Sequence, residues 1–523
     1  MKIPFWLFIG LLSLALVVSA CRTEAPVSAA PDRAHANILR FDVAAPLVSM
    51  NPAEDNAAGA TMIFPLLYSF LFVNDVNGRL QPDLATSWAY DESARTWTIR
   101  LRTDAFFHDG QPVTAEDARC SLQVMISKLL PKVMASIEEI SIPSAHTLRI
   151  RLNKSYPDFL ATIQDIQVLP ASELTAEARS FTPVGSGPFV FEAKEGERKA
   201  VLTANKNYYA GRPALDGVEF YYQPDKERTW TRLLAGATDI AQEIAPKNYE
   251  ITRQYQDRFY FHHNMLTHYA ILLYNSHDPL FADERIRRAL SQAIDRQYIV
   301  DQILKGYGRV AIGPMGVDSP FHAPGLTPLD YNPRESLRVL HEAGWETGEG
   351  GVLVKNGRPF AFTLLISAEA QVKKAVARYI QLCFNDIGIR MDIQACPCQE
   401  ISASYYRNSD FQAVLTEFPG AYNRTENIIS GWLPDEAGHN LTGNFSHPEV
   451  TRLLEMALRA DDPRAKKEYL FQADALLAEL QPGTFLYQQT AFDVMSKRFS
   501  LSAPFFLSNE GIYWLRLAAI RSK

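Results

Sequence analysis

No segment has the roughly 20 apolar residues that cross a bilayer: the one apolar run, at the amino end, is too short, and a soluble mature body is expected. Basic residues do not dominate either: Lys and Arg number 52 against 59 Asp and Glu, a net charge of -7 with no basic stripe, which argues against nucleic acid as a partner. Cysteine is scarce, 5 in 523 residues, too few for a disulfide framework. No phosphate-cradling Gly-x4-Gly-Lys-Ser/Thr loop or dinucleotide fingerprint is present. The HEAGW stretch at His341 lacks a second histidine one turn on, which excludes the zinc-protease pattern. Around Ser186 the glycines flank the serine directly, so VGSGP is a turn before a strand and not a nucleophile elbow. His262, His263 and His268 read as histidines at a strand junction, and Cys396-Pro397-Cys398 is spaced too tightly for zinc. No catalytic residue, metal or cofactor is expected.

What is present begins with Lys2, the apolar run Ile3 to Val18, and small Ser19 and Ala20, the layout of a secretory signal over residues 1–20. Val18-Ser19-Ala20-Cys21 resembles a bacterial lipobox, in which Cys21 is acylated and held at a membrane by lipid alone. Residues 21–36 are rich in Ala, Pro and Ser and read as a flexible tether. A hydrophobic fraction of 47% with 21% charged residues then describes a folded body large enough for two domains.

Within that body, TSWAYDESARTWTIRL and HTLRIRLNK alternate apolar and polar residues with period two, the pattern of hairpins. From Asp283 to Gly306, Ile286, Ala289, Leu290, Ala293, Ile294, Ile303 and Leu304 trace one face of a predicted helix of about six turns. Asn332, Pro333 and Gly344 mark the ends of a second helix. RPFAFTLLIS, QVKKAVARYIQLCFNDIG and IRMDIQ read as strand, helix and strand, a right-handed crossover between parallel strands. An exported compartment permits a bridge from Cys383 to Cys396 or to Cys398.

The stretch Leu80 to Leu122 resembles the family 5 extracytoplasmic solute-binding proteins of ABC importers. Their Pro-x-Leu-Ala-x-Ser-Trp, Leu-Arg, Phe-x-Asp-Gly-x-Pro and Thr-Ala-x-Asp elements fall on Pro82 to Trp88, Leu101-Arg102, Phe107 to Pro112 and Thr114 to Asp117. GSGPF at Gly185, the Asn207, Gly211 and Pro213 element, Ile286 to Arg296 and ESLRVLHEAGW extend the likeness over nearly all of the body.

The resemblance implies an α/β, two-lobed periplasmic-binding-protein fold of the class II or cluster C type, with an extra strand-rich subdomain. Lobe I would span 37–265, including the subdomain at about 53–177, lobe II 266–488, and residues 489–523 would return to lobe I. It implies a monomeric receptor, not an enzyme, that captures a di- or oligopeptide between its lobes and hands it to a permease in the cytoplasmic membrane. A nickel complex, haem, opine or oligosaccharide as ligand, a membrane sensor as the recipient, and an exported hydrolase on the same scaffold are the alternatives.

For the ligand, the family's ammonium-binding Asp falls on Glu417, one methylene longer, with Phe418 on the neighbouring aromatic. Tyr422 and Trp432 are further candidate cleft aromatics, and Asn51 and Glu54 candidate polar contacts from the loop Ser49 to Gly59.

Overall fold

The computed structural model describes residues 37–501 except 45, 54–57, 75–79, 155, 157–158, 176–180, 182, 369, 402–404, 406–409, 421–428, 430, 435–438 and 461, together with 520–522. The signal, the tether, Cys21, Glu54 and Tyr422 lie outside the described residues.

One eleven-stranded mixed sheet runs through the molecule. Its strands, in chain order, are β1 (Ile38–Val43), β2 (Phe189–Glu195), β3 (Lys199–Ala204), β4 (Gly217–Tyr222), β5 (Ile240–Ala241), β6 (Phe259–Tyr274), β7 (Gly308–Val310), β8 (Ala361–Ser367), β9 (Arg390–Cys396), β10 (Ala413–Pro419) and β11 (Gly483–Ser496). They lie side by side as β2-β3-β4-β1-β5-β11-β6-β10-β8-β9, with β7 on β11. The chain passes from the first lobe to the second along β6 and returns along β11.

These two strands pair antiparallel from Phe259 with Ser496 to Leu273 with Gly483. The register shifts between Met265, opposite Thr490, and Tyr269, opposite Gln488, so residues 266–268 face a single residue, Gln489. Such a bulge bends the strand and sharpens its twist. Gln488 straddles it: its Nε2 donates to the Leu266 carbonyl at 3.4 Å, and its Oε1 accepts from Arg309 Nε at 3.0 Å.

Apolar cores lie on either side of this crossing. The first lobe buries Leu39, Phe41, Val218 and Phe220 of the sheet. Contiguous with them are Ile99, Leu148 and Ile150 of a four-stranded antiparallel subdomain sheet, strands 85–91, 96–101, 147–152 and 137–144, covered by helix Ala115–Leu129. Asp117 sets that helix's start, its carboxylate accepting from Thr114 N at 2.8 Å and from the Thr114 hydroxyl at 2.7 Å, which explains the Thr-Ala-x-Asp element. The second lobe has a core on each face of its part of the sheet. Ala270, Leu272 and Leu415 lie under helices Glu284–Gln292 and Gln371–Asp386. Tyr269, Ile271, Val414 and Phe485 lie under Pro448–Arg459 and Pro463–Leu480.

β8, helix Gln371–Asp386 and β9 form the expected crossover, with Ala361 opposite Arg390 and Ser367 opposite Cys396 in parallel register. The bridge expected from Cys383 does not form: Cys383 and Cys396 are free thiols. The helix runs back along the strands, so Cys383 near its end lies beside the start of β9, where Gln381 donates to the Met391 carbonyl at 2.7 Å. Cys396 lies at the far end of β9, about 20 Å along the strand. The six-turn helix is interrupted too. It stops at Gln292, and Asp295, whose carboxylate accepts from Tyr298 N, starts a new short turn.

The VGSGP stretch is a turn, as read from its sequence, and its glycines have a packing reason. A Cβ on Gly185 would lie 1.8 Å from the Leu67 carbonyl oxygen, and one on Gly187 2.5 Å from that of Leu66. His108 locks the turn: Gly185 N donates to its Nδ1 at 3.2 Å, and its Nε2 donates to the Gly187 carbonyl at 3.1 Å. This pattern requires neutral imidazole, and burial pushes the His108 pKa down. Below about pH 6.5 the unfolded chain takes up a proton that the native site refuses, so stability is lost as pH falls. In urea titrations, His108→Ala should lower stability by about 1–3 kcal/mol at pH 7.5, with the difference from wild type shrinking toward pH 5. A difference that does not change with pH would contradict a neutral His108.

Candidate ligand-binding site

In an α/β sheet, ligands bind outside the carboxyl ends of parallel strands. Here β8, β9 and β10 run parallel and end together at Ser367, Cys396 and Pro419, on the side where the bulge joins the lobes. Helix Gln371–Asp386 starts at this edge and presents the positive end of its dipole there, with no side-chain cap among the described residues.

Glu417 lies near the end of β10. Its carboxylate is 3.4 Å from Lys373 Nζ in the helix's first turn, with the glutamate side chain 41% and the lysine 19% exposed. Directly opposite Glu417 on β6 is Ala270, and opposite Ala270 on β11 is Tyr487. Residues paired across strands share a face, so Glu417, Ala270 and Tyr487 form a row. The small Ala270 leaves the space above it to its two long neighbours. Tyr487 is 1% exposed, and its hydroxyl has no hydrogen-bond partner among the described residues. Burial raises its pKa, and the Glu417 charge raises it further.

His268, opposite Pro419 and one step along the same face, completes the group. Burial pushes its imidazole down, the Glu417 and Glu243 carboxylates pull it up, and Lys373 lowers it. Glu243 belongs to the first lobe, so a carboxylate from each lobe acts on one histidine at the crossing. Glu243 is itself held from two sides, its side chain 2.7 Å from Lys226 Nζ and its backbone N donating to Asp493 Oδ1 at 2.9 Å.

The sequence-predicted residues divide. Phe418 follows Glu417 on the strand and therefore points to the opposite face, its ring 6.3 Å from that of Tyr269. Trp432 is on that side as well, 3% exposed, with Phe445 and Phe485 as ring neighbours. Asn51 is in the first lobe, 8% exposed, and its Oδ1 accepts from Ala53 N at 3.0 Å. Glu417 is thus the predicted residue that shares its face with Lys373, Tyr487 and His268. Sequence reading passed over Lys373 and Tyr487 because their link to Glu417 is across strands and has no local spacing. His262 and His263 are neighbours on β6 and face opposite sides of it. Among the described residues no group of three or more His, Cys, Asp or Glu is arranged to hold a metal, and no helix is long and apolar enough to cross a membrane.

A mixed α/β body in two lobes, joined by a pair of strands with a polar niche at the join, defines the two-lobed periplasmic-binding-protein fold. Comparison with known proteins agrees. Residues 79–440 match "Bacterial extracellular solute-binding proteins, family 5 Middle", and the chain belongs to that family. It is 27% identical over 507 residues to the oligopeptide-binding protein AppA of Bacillus subtilis, covering 91% of this chain and 92% of that one. To the nickel-binding periplasmic protein of Escherichia coli it is 24% identical over 362 residues, covering 66% and 68%. Among solved structures, NikZ of Campylobacter jejuni with Ni(L-His) has a TM-score of 0.81 at 22% identity, covering 93% of this chain and 99% of that one. AppA of Bacillus subtilis with a nonapeptide has a TM-score of 0.79 at 23% identity, with the same coverage.

Asp493, on β11 above the bulge, supplies a test of the geometry at the crossing. It is 0% exposed and its Oδ2 has no partner among the described residues. Burial, helped by the Glu243 charge and opposed by the Glu243 N–H and by Lys226, pushes its pKa up to about 7. The raised native pKa means that stability is lost as pH climbs from about 4 to 7. Asp493→Asn retains the oxygen that receives Glu243 N and removes the charge. The variant should be more stable than wild type at pH 8, with the gap closing toward pH 4 in denaturant melts. A gap of equal size at both pH values would contradict the buried carboxylate.

Proposed function

We propose that this protein is the substrate-binding lipoprotein of an ABC importer, taking a di- or oligopeptide into the cleft between its lobes and releasing it unaltered to a membrane permease. The observation that carries the reading is the position of Glu417, a partly exposed carboxylate at the carboxyl ends of the second lobe's parallel strands. A peptide's ammonium in a closed cleft needs a counter-charge, because an unpaired buried charge is prohibitive. The family membership and a relative named for binding oligopeptides support the ligand class.

Export by residues 1–20 and acylation of Cys21 would hold the receptor beside its permease as a monomer, raising its local concentration there. The proposed division is a first lobe at 37–265, a second at 266–488 and a return to the first from 489. Tyr422, Asn51 and Glu54 are proposed as ligand-facing groups of the closed form, whereas Phe418 and Trp432, on the face away from Glu417, pack the second lobe's core. Contacts made only on closing would shift the open-closed equilibrium, and about 5.5 kcal/mol of differential affinity suffices for near-complete switching.

A nickel chelate is the second reading, favoured by Lys373 and the uncapped helix end, which suit an anionic complex. Calorimetry with a peptide mixture and a set of nickel chelates separates the two. Heat should be released with peptides, Glu417→Gln should weaken that binding at least tenfold, and mass spectrometry should recover the peptide intact. Binding of chelates alone would overturn the peptide reading, and cleaved peptide would identify a hydrolase.

A further inference from the structure

The geometry points to Lys373 and Tyr487 as the residues that set the charge selectivity of this site: Lys373 holds the place at Glu417 that a ligand ammonium takes, and is released to receive the ligand's anionic group. The inference rests on the reading of Glu417 as the ammonium anchor and names the ligand class as a zwitterion whose opposite charges lie close together.

Three observations carry it. First, among the described residues the counter-ion of Glu417 is the Lys373 ammonium, 3.4 Å away and with a side chain only 19% exposed. A primary ammonium on a ligand has the same charge and the same three donors, so the two compete for one carboxylate. Second, Lys373 stands in the first turn of a sixteen-residue helix that no side chain caps among the described residues. Displaced from Glu417, its ammonium remains beside orphan backbone N–H groups, and together they suit a carboxylate. A ligand carrying both charges exchanges one ion pair for two without stranding either side chain, whereas a bare amine strands Lys373 and a bare acid competes with Glu417 for Lys373.

Third, the Tyr487 hydroxyl is buried and lacks a partner among the described residues, at the end of the row formed with Ala270 and Glu417. A hydroxyl in that state costs stability. A ligand ammonium on Glu417 has N–H groups to spare, and the phenolic oxygen can accept one. Tyr487 is therefore a binding residue whose polar atom is satisfied only with ligand present.

The test uses the full chain and a library of short peptides in three forms: free at both ends, C-terminally amidated, and N-acetylated. Titration calorimetry and thermal melts are run on wild type, Lys373→Met, Lys373→Gln and Tyr487→Phe. With either Lys373 variant, affinity for the amidated form should rise about tenfold relative to the free form, since the competitor and the anion receptor are lost together. Tyr487→Phe should bind free peptides about fivefold more weakly while melting at the same or a higher temperature, because a merely structural hydroxyl would lower both. Amide-to-free ratios equal in wild type and both Lys373 variants would overturn the exchange, and a lowered melting temperature for Tyr487→Phe with unchanged affinity would overturn its role. If no peptide with a free amine binds the wild-type chain, the peptide reading falls and this inference with it. Peptides that bind the wild type with no shift in the variants overturn the inference alone.

Discussion

Two long strands, β6 and β11, carry the chain across the molecule, and their pairing shifts register twice, at residues 266–268 and again between Ala270 and Ile271, where Leu486 is the extra residue. The larger of these, at residues 266–268, constrains the rest. Above it the pair belongs to the first lobe, with Phe259, Phe261, Phe492 and Val494 in a core shared with Leu233 and Tyr249. Below it the same strands are the floor of the second lobe, buried on both faces. A continuous ladder would fix the lobes rigidly, and a break would leave buried backbone groups unpaired. The bulge keeps the ladder on both sides while giving a place where it bends.

The binding niche follows from this arrangement. Parallel strands β8, β9 and β10 must end on one side, and their ends face the bulge. Charges gather there: Glu417, Lys373 and His268 from the second lobe, Glu243 and Lys226 from the first. Most are exposed enough to remain hydrated, so carrying them together costs little. The exceptions, Tyr487 and Asp493, are buried with an atom unpaired among the described residues, at a cost in stability. Both lie on β11, one on either side of the bulge.

Much of the fold was legible from the chain. The crossover at Ala361–Cys396 appeared as alternation, then a 3.6-residue period, then alternation again, and the caps at Asp283 and Asn332 were written in local residue types. The turn at Gly185 and Gly187 was recognised as a turn, although the close approach of the Leu66 and Leu67 carbonyls that demands glycine is a tertiary fact. Failures came where distance along the chain mattered. Asp295 looked like one more polar residue on a long helix until its carboxylate was found capping a new turn. Cys383 and Cys396 looked like neighbours because the elements holding them are neighbours, but they sit at opposite ends. Glu417 was reached through family resemblance. Its companions Lys373 and Tyr487 are 44 and 70 positions away in sequence and meet it only through the helix start and the strand row.

The central claim is that the lobes bend about residues 266–268 to enclose a small solute at Glu417. Small-angle scattering of the purified protein, before and after saturation with the peptide mixture, measures this most directly. The account predicts a smaller radius of gyration with peptide, and no contraction in Glu417→Gln at the same peptide concentration. A profile unchanged by peptide in a sample shown by calorimetry to have bound it would contradict the account.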